Sequence, residues 1–129
     1  MTRVKPNTLT VASLLSIILL PFHVGGDIAL GLDRGGSGVV FILVPVLLLV
    51  ACGAVLLSER ISGHVIMLFG GLAALGMPLI HRNNGFTATI AKSPGGVFFI
   101  WTLVVLGITG GLAIILSVRG LWSMRLRKT

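Results

Sequence analysis

The sequence predicts an all-α integral membrane protein, a four-transmembrane-helix up-down-up-down bundle with both termini cytoplasmic. Hydrophobic residues make up 55% of the 129 residues and charged residues only 10%, whereas soluble domains carry about 25% charged residues. The apolar residues fall into four segments, each near the roughly 20 residues that a helix needs to cross a bilayer. Basic residues flank these segments. The composition therefore excludes a soluble enzyme, a disordered chain and a coiled coil.

The four spans are predicted at about 8–32, 39–57, 62–80 and 97–118, and a basic cytoplasmic tail follows at 119–129. Lipid offers no hydrogen-bond partner to an exposed backbone, so each span is expected to be helical. The first span lacks a convincing cleavage site and is read as a membrane helix. In the longest loop, 82–96, residues 86–90 are expected to form an interfacial strand or a half-turn. The whole chain, 1–129, is predicted to be one membrane domain.

The distribution of Lys and Arg predicts the orientation. One side of the membrane collects Arg3, Lys5, Arg60, Arg119, Arg125, Arg127 and Lys128. The opposite side collects only Arg34, Arg82 and Lys92. Cytoplasmic loops carry the excess of Lys and Arg, so both termini are expected inside the cell. The basic residues of the tail, Arg119, Arg125, Arg127 and Lys128, are expected to lie at the anionic surface of the cytoplasmic leaflet.

Small residues predict where helices pack. Membrane helices approach each other closely where Gly or Ala recurs every four residues. Gly70 and Ala74 form such a pair on the third span, and Gly107 and Gly111 form one on the fourth. These faces are expected to pack the third span against the fourth. The alternative is that one of these two faces forms an interface with a second copy of the chain or with another subunit.

Polar side chains near the outer membrane surface are the candidate site. His23 and Asp27 are four residues apart, so they share one face of the first helix, and His81 ends the third span at the same level. Two imidazoles and a carboxylate suit zinc, copper or iron. The same groups also suit a lipid head group, a quinone carbonyl or, through His23 and His81, a haem. The alternative is purely structural: Asp27 forms an ion pair with Arg82, and the histidines bond to backbone or water.

No Asp, Glu, Lys or Arg lies near the middle of a span, which argues against an ion-coupled transporter. No nucleophilic side chain lies at helical spacing from a base, which favours a protein that is not an enzyme. The net charge is +7, but the basic residues flank apolar runs and do not form a surface for nucleic acid. The first functional hypothesis is therefore a non-catalytic accessory subunit, scaffold or self-assembling oligomer, embedded in lipid, in the plasma (inner) membrane of a bacterium. The second is a protein that binds a metal, quinone or lipid through His23, Asp27 and His81.

Overall fold

A computed structural model describes residues 7–32 and 38–126 of the chain. The described part is all-helical, with α1 at Thr8–Ala29, α2 at Gly38–Val55, α3 at Ile61–Ile80, α4 at Ala88–Lys92 and α5 at Gly96–Leu126. Four of these helices, α1, α2, α3 and α5, are long and apolar enough to cross a membrane. The predicted fold class of four apolar membrane-length helices is thereby confirmed, and no strand occurs among the described residues.

α1 begins at Thr8 as predicted, whereas other helix ends differ from the predicted bounds for local reasons. The Asn7 side chain caps α1 by accepting a hydrogen bond from the Thr10 backbone N–H at 2.7 Å. α1 ends at Ala29, three residues before the predicted end, because Gly31 takes a φ of +67° that terminates the helix. At the other end of the chain, α5 continues without a break through Arg119 to Leu126. Arg127 and Lys128 lie outside the described residues.

The third loop, where an interfacial strand or a half-turn was expected over 86–90, contains one short helical turn and no strand among the described residues. Residues Ala88–Lys92 form the single short turn α4. The hydroxyl of Thr87 caps this turn by accepting a hydrogen bond from the Ile90 backbone N–H at 3.3 Å. The threonine cap satisfies the Ile90 backbone N–H, which in a strand would need a partner on a neighbouring strand.

The four long helices contact one another in a closed order. Contacts join α1 to α2, α2 to α3, α3 to α5 and α5 to α1, and α1 also touches α3. Within the described part of the chain, α2 and α5 do not meet. A buried hydrogen bond of 2.8 Å from Ser16 to Thr109 joins α1 to α5. The core is thin, and large apolar side chains such as Phe41 and Phe69 face outward, as lipid-facing residues do.

Two of the four small residues predicted for packing lie where α3 meets α5. A Cβ on Gly110 would come within 3.0 Å of the Ala74 Cβ and within 2.7 Å of the Gly71 carbonyl oxygen. Gly107 lies against the Pro78 ring, 3.2 Å from where its Cβ would be. Gly70 instead faces Val50 of α2.

Gly111 is not part of this contact. A Cβ built on Gly111 meets no atom of the described residues within 4 Å. Each residue advances about 100° around a helix, so the neighbour Gly110 occupies the buried face and Gly111 turns away from α3. The predicted Gly107–Gly111 pair is thus replaced by Gly107 with Gly110.

Candidate functional site

The three polar residues singled out by the sequence lie together at one end of the bundle. His81 Nε2 is 3.0 Å from Asp27 Oδ1 and 3.1 Å from Asp27 Oδ2. The imidazole rings of His23 and His81 are nearly perpendicular, with centroids 5.1 Å apart. One donor atom from each of the three residues lies within 4.8 Å of the other two. We refer to His23, Asp27 and His81 as the His–Asp cluster.

The cluster is formed by residues at the ends of two helices. His23 and Asp27 are one helical turn apart near the end of α1, so both face the bundle. His81 is the residue at which α3 stops, and its backbone N–H bonds to the Met77 carbonyl at 3.1 Å. The fourth long helix, α5, closes the other side of the cluster with Phe99 and Thr102.

The hydrogen bonds around His23 assign its tautomer. The hydroxyl of Thr102 donates to the Phe99 carbonyl at 2.7 Å. Its oxygen is then free to accept, and it lies 3.4 Å from His23 Nδ1, which assigns the proton to Nδ1. His23 Nε2 is left with a lone pair, and it has no hydrogen-bond partner among the described residues although the side chain is fully buried.

The hydrogen bonds around His81 lead to a similar assignment. His81 Nδ1 lies 3.1 Å from the Met77 carbonyl oxygen, which can only accept, so Nδ1 carries a proton. In a neutral imidazole Nε2 then has a lone pair, yet it faces the carboxylate of Asp27. Two acceptors at 3.0 Å repel each other unless a positive charge lies at Nε2. That charge is either a second proton on His81 or a metal ion between the groups.

Phe99 packs against both histidines. Its ring stacks on His23 with centroids 4.8 Å apart and meets the edge of His81 at 5.8 Å. Gly26 makes room for this ring, since a Cβ there would lie 3.1 Å from Phe99 Cδ2. With Phe99 against both rings and Asp27 bonded to His81, the two histidines lack the flat slot that a haem needs between axial ligands.

The predicted ion pair between Asp27 and Arg82 does not form among the described residues; the carboxylate of Asp27 takes His81 as its partner. Arg82 follows the end of α3 and is exposed. One residue further along the helical turn points about 100° away, so His81 and Arg82 cannot both face α1.

Two members of the site escape sequence reasoning. Thr102 and Phe99 are three residues apart on α5 and share a face, but an apolar run of helix shows no sign of which neighbour its hydroxyls meet. The remaining histidine, His64, lies at the start of α3 with its Nδ1 3.1 Å from the Arg60 carbonyl. His64 is not part of the cluster.

Comparison with models of known protein families finds no match, and comparisons with curated proteins and with solved structures find none either.

Proposed function

We propose that this protein binds a divalent transition-metal ion, Zn²⁺ or Fe²⁺, at the His–Asp cluster. The observation that carries the proposal is the buried Nε2 lone pair of His23, which has no partner among the described residues. His23 lies in one cluster with a second imidazole and a carboxylate. Two histidines and one carboxylate form a common ligand set for zinc and for non-haem iron.

The surroundings of the cluster match those of metal-ligating histidines. Such histidines usually give their second ring N–H to a carbonyl or another fixed acceptor, which orients the ring. His81 does so with Met77 O at 3.1 Å, and His23 does so with Thr102 Oγ1 at 3.4 Å.

The same assignment disfavours a quinone as the ligand. A quinone carbonyl oxygen accepts hydrogen bonds, so it needs a donor. The network assigns the ring protons of His23 and His81 to Nδ1, where Thr102 and Met77 already accept them. When both imidazoles are neutral, the cluster offers a ligand nitrogen lone pairs and a carboxylate, and these groups bind cations.

We place the bundle in the plasma (inner) membrane of a bacterium, with up-down-up-down helices and both termini in the cytoplasm. The excess of Lys and Arg near the termini and the 58–60 turn supports this orientation. This orientation puts the His–Asp cluster at the face of the inner membrane that is turned away from the cytoplasm, where metal ions arrive from outside the cell. Three protein ligands leave a fourth position of a tetrahedral ion for water or another small molecule.

The second candidate, an accessory or self-assembling subunit, finds support in Gly111. This glycine lies on α5 with no atom of the described residues near its Cβ position. Small residues of this kind allow a further helix to approach closely. Metal binding and membership of a larger assembly are compatible roles.

The test of metal binding is a Zn²⁺ titration of the full chain, purified in a mild detergent and first stripped with a chelator. We expect one Zn²⁺ per chain. Asp27→Asn and His23→Ala are each expected to weaken binding by at least about tenfold, because even partners outside the ligand set change metal affinity 10–100-fold.

His64→Ala is the matched control, because it removes a buried histidine outside the cluster. It is expected to bind Zn²⁺ as the unaltered protein does. Circular dichroism of each variant checks that the helices are retained. Equal loss in His64→Ala and in the two cluster variants, or the absence of stoichiometric Zn²⁺ binding, would refute the proposal.

A further inference from the structure

The opposite end of the bundle carries an open groove between α3 and α5. It has a volume of about 570 Å³ and is lined by Ile61, Val118, Leu121, Trp122 and Arg125. We call these five residues the Arg125 groove. Its size falls within the range of about 300–1,000 Å³ that ligand pockets occupy.

The groove exists because α5 is longer than a membrane is thick. Its 31 residues span about 46 Å at 1.5 Å per residue, against about 30 Å of hydrocarbon. At its basic end Gly120 lies directly against the His64 ring, which holds α5 close to the beginning of α3. The last turns of α5 therefore continue past the start of α3 at the membrane surface, with Trp122 70% exposed.

The lining of the groove has the polarity of a phospholipid. Four of its residues are apolar or aromatic, and Arg125 alone carries a charge. No carboxylate of the described residues lies within ion-pair distance of Arg125. Among the described residues, the other exposed Arg side chains at this end of the bundle are Arg60 and Arg119, and the only acidic residue there is Glu59.

From this combination we infer that the Arg125 groove binds one anionic phospholipid. The guanidinium of Arg125 contacts the phosphate, since its planar donor fork matches phosphate oxygens. An acyl chain lies along Ile61, Val118 and Leu121, and Trp122 sits at the level of the head groups. Basic pockets between membrane helices bind anionic lipids by the same chemistry.

The experiment is native mass spectrometry of the full chain in detergent, titrated with phosphatidylglycerol and with phosphatidylcholine of identical acyl chains. Phosphatidylglycerol is expected to bind about fivefold more tightly, the factor that corresponds to about 1 kcal/mol per basic residue at a membrane surface. Arg125→Gln is expected to abolish that preference. Val118→Phe, which narrows the apolar part of the groove, is expected to weaken the binding of both lipids.

Lys92→Gln is the matched control, because it removes a cation at the other end of the bundle, on α4, and should leave the preference intact. Three results with lipid would overturn the inference: equal binding of the two lipids, an unchanged preference in Arg125→Gln, or displacement of phosphatidylglycerol by inorganic phosphate alone. A dimer without lipid preference that Val118→Phe dissociates would also overturn it, by assigning the groove to a second copy. None of these measurements involves the His–Asp cluster, so their outcome does not depend on whether the cluster binds a metal ion.

Discussion

At the scale of single residues, the central feature is the close contact between the His81 imidazole and the Asp27 carboxylate in a mostly apolar protein. The Nδ1 protons of His23 and His81 are directed to Thr102 and Met77. The Nε2 atom of His81 therefore points its lone pair at the carboxylate of Asp27, 3.0 Å away. With both imidazoles neutral this contact is repulsive, and either a second proton on His81 or a metal ion between the groups removes the repulsion.

The hydroxyl of Thr102 provides a residue-scale test. Thr102→Val keeps the shape of the side chain but removes the acceptor for His23 Nδ1. We expect Zn²⁺ affinity to fall about 10-fold or more, as it does when an orienting partner of a metal ligand is lost. Equilibrium dialysis with Zn²⁺ measures the change, and Thr102→Ser is expected to restore binding.

Thr109→Val is the control for this change, because Thr109 is a buried threonine of the same helix whose hydroxyl bonds to Ser16 instead. It is expected to leave Zn²⁺ affinity unaltered. If Thr109→Val lowers the affinity as much as Thr102→Val does, the hydroxyl of Thr102 acts through general packing and not through His23.

Sequence reasoning brought His23, Asp27 and His81 to one membrane level, because the helical period and the lengths of the spans determine depth. It could not predict which group would neutralise Asp27. Arg82 and His81 are adjacent in the sequence, and only the rotation of α3 decides that His81 faces α1 while Arg82 is exposed. Phe99 and Thr102 were missed for a related reason, since their role depends on the rotation of α5.

At the scale of elements, the contact between α3 and α5 depends on glycine. The Gly71 and Gly110 backbones approach so closely that a Cβ on either would come within 3.0 Å of the other's carbonyl oxygen. In lipid, such close backbone approach is a main source of helix association, because burial of apolar surface contributes little.

Two adjacent glycines make this contact testable. Gly110→Val is expected to separate α3 from α5 and to lower the free energy of unfolding by about 1–3 kcal/mol, the usual cost of overpacking. Gly111→Val, one residue further along, is expected to be neutral within about 0.5 kcal/mol, because nothing of the described residues lies near its Cβ. Thermal unfolding in detergent, followed by circular dichroism, compares the two.

Equal destabilisation by the two valines would mean either that α5 is rotated so that Gly111 also faces α3, or that another chain covers Gly111. The sequence predicted the spacing of four between Gly107 and Gly111, although Gly107 and Gly110 also permit a spacing of three. The structure selects the spacing of three because Pro78 and Ala74 of α3 meet Gly107 and Gly110.

At the scale of the whole molecule, the bundle is apolar on its outside as well as its inside. Four helices of membrane length leave many large apolar side chains exposed, among them Phe41, Phe69 and Leu56. Water does not tolerate such a surface, whereas lipid does. The sequence predicted this level best, because composition and segment length suffice for it.

The orientation in the membrane is a prediction for the whole molecule. With Cys52→Ser as the background, Asn84→Cys and Ser58→Cys each place one thiol in a different connection between helices. In intact bacterial cells expressing the protein, a membrane-impermeant maleimide is expected to label Asn84→Cys and to leave Ser58→Cys unlabelled. The reverse pattern would place the His–Asp cluster on the cytoplasmic side.

The most direct test of the metal-binding claim is X-ray absorption spectroscopy at the zinc edge of the protein loaded with one equivalent of Zn²⁺. We expect two imidazole nitrogens at about 2.0–2.1 Å and oxygen ligands at about 2.0–2.2 Å, with the imidazole signal reduced in His23→Ala. A spectrum with oxygen ligands alone, or one that His23→Ala leaves unchanged, would contradict the assignment of the His–Asp cluster as a metal site.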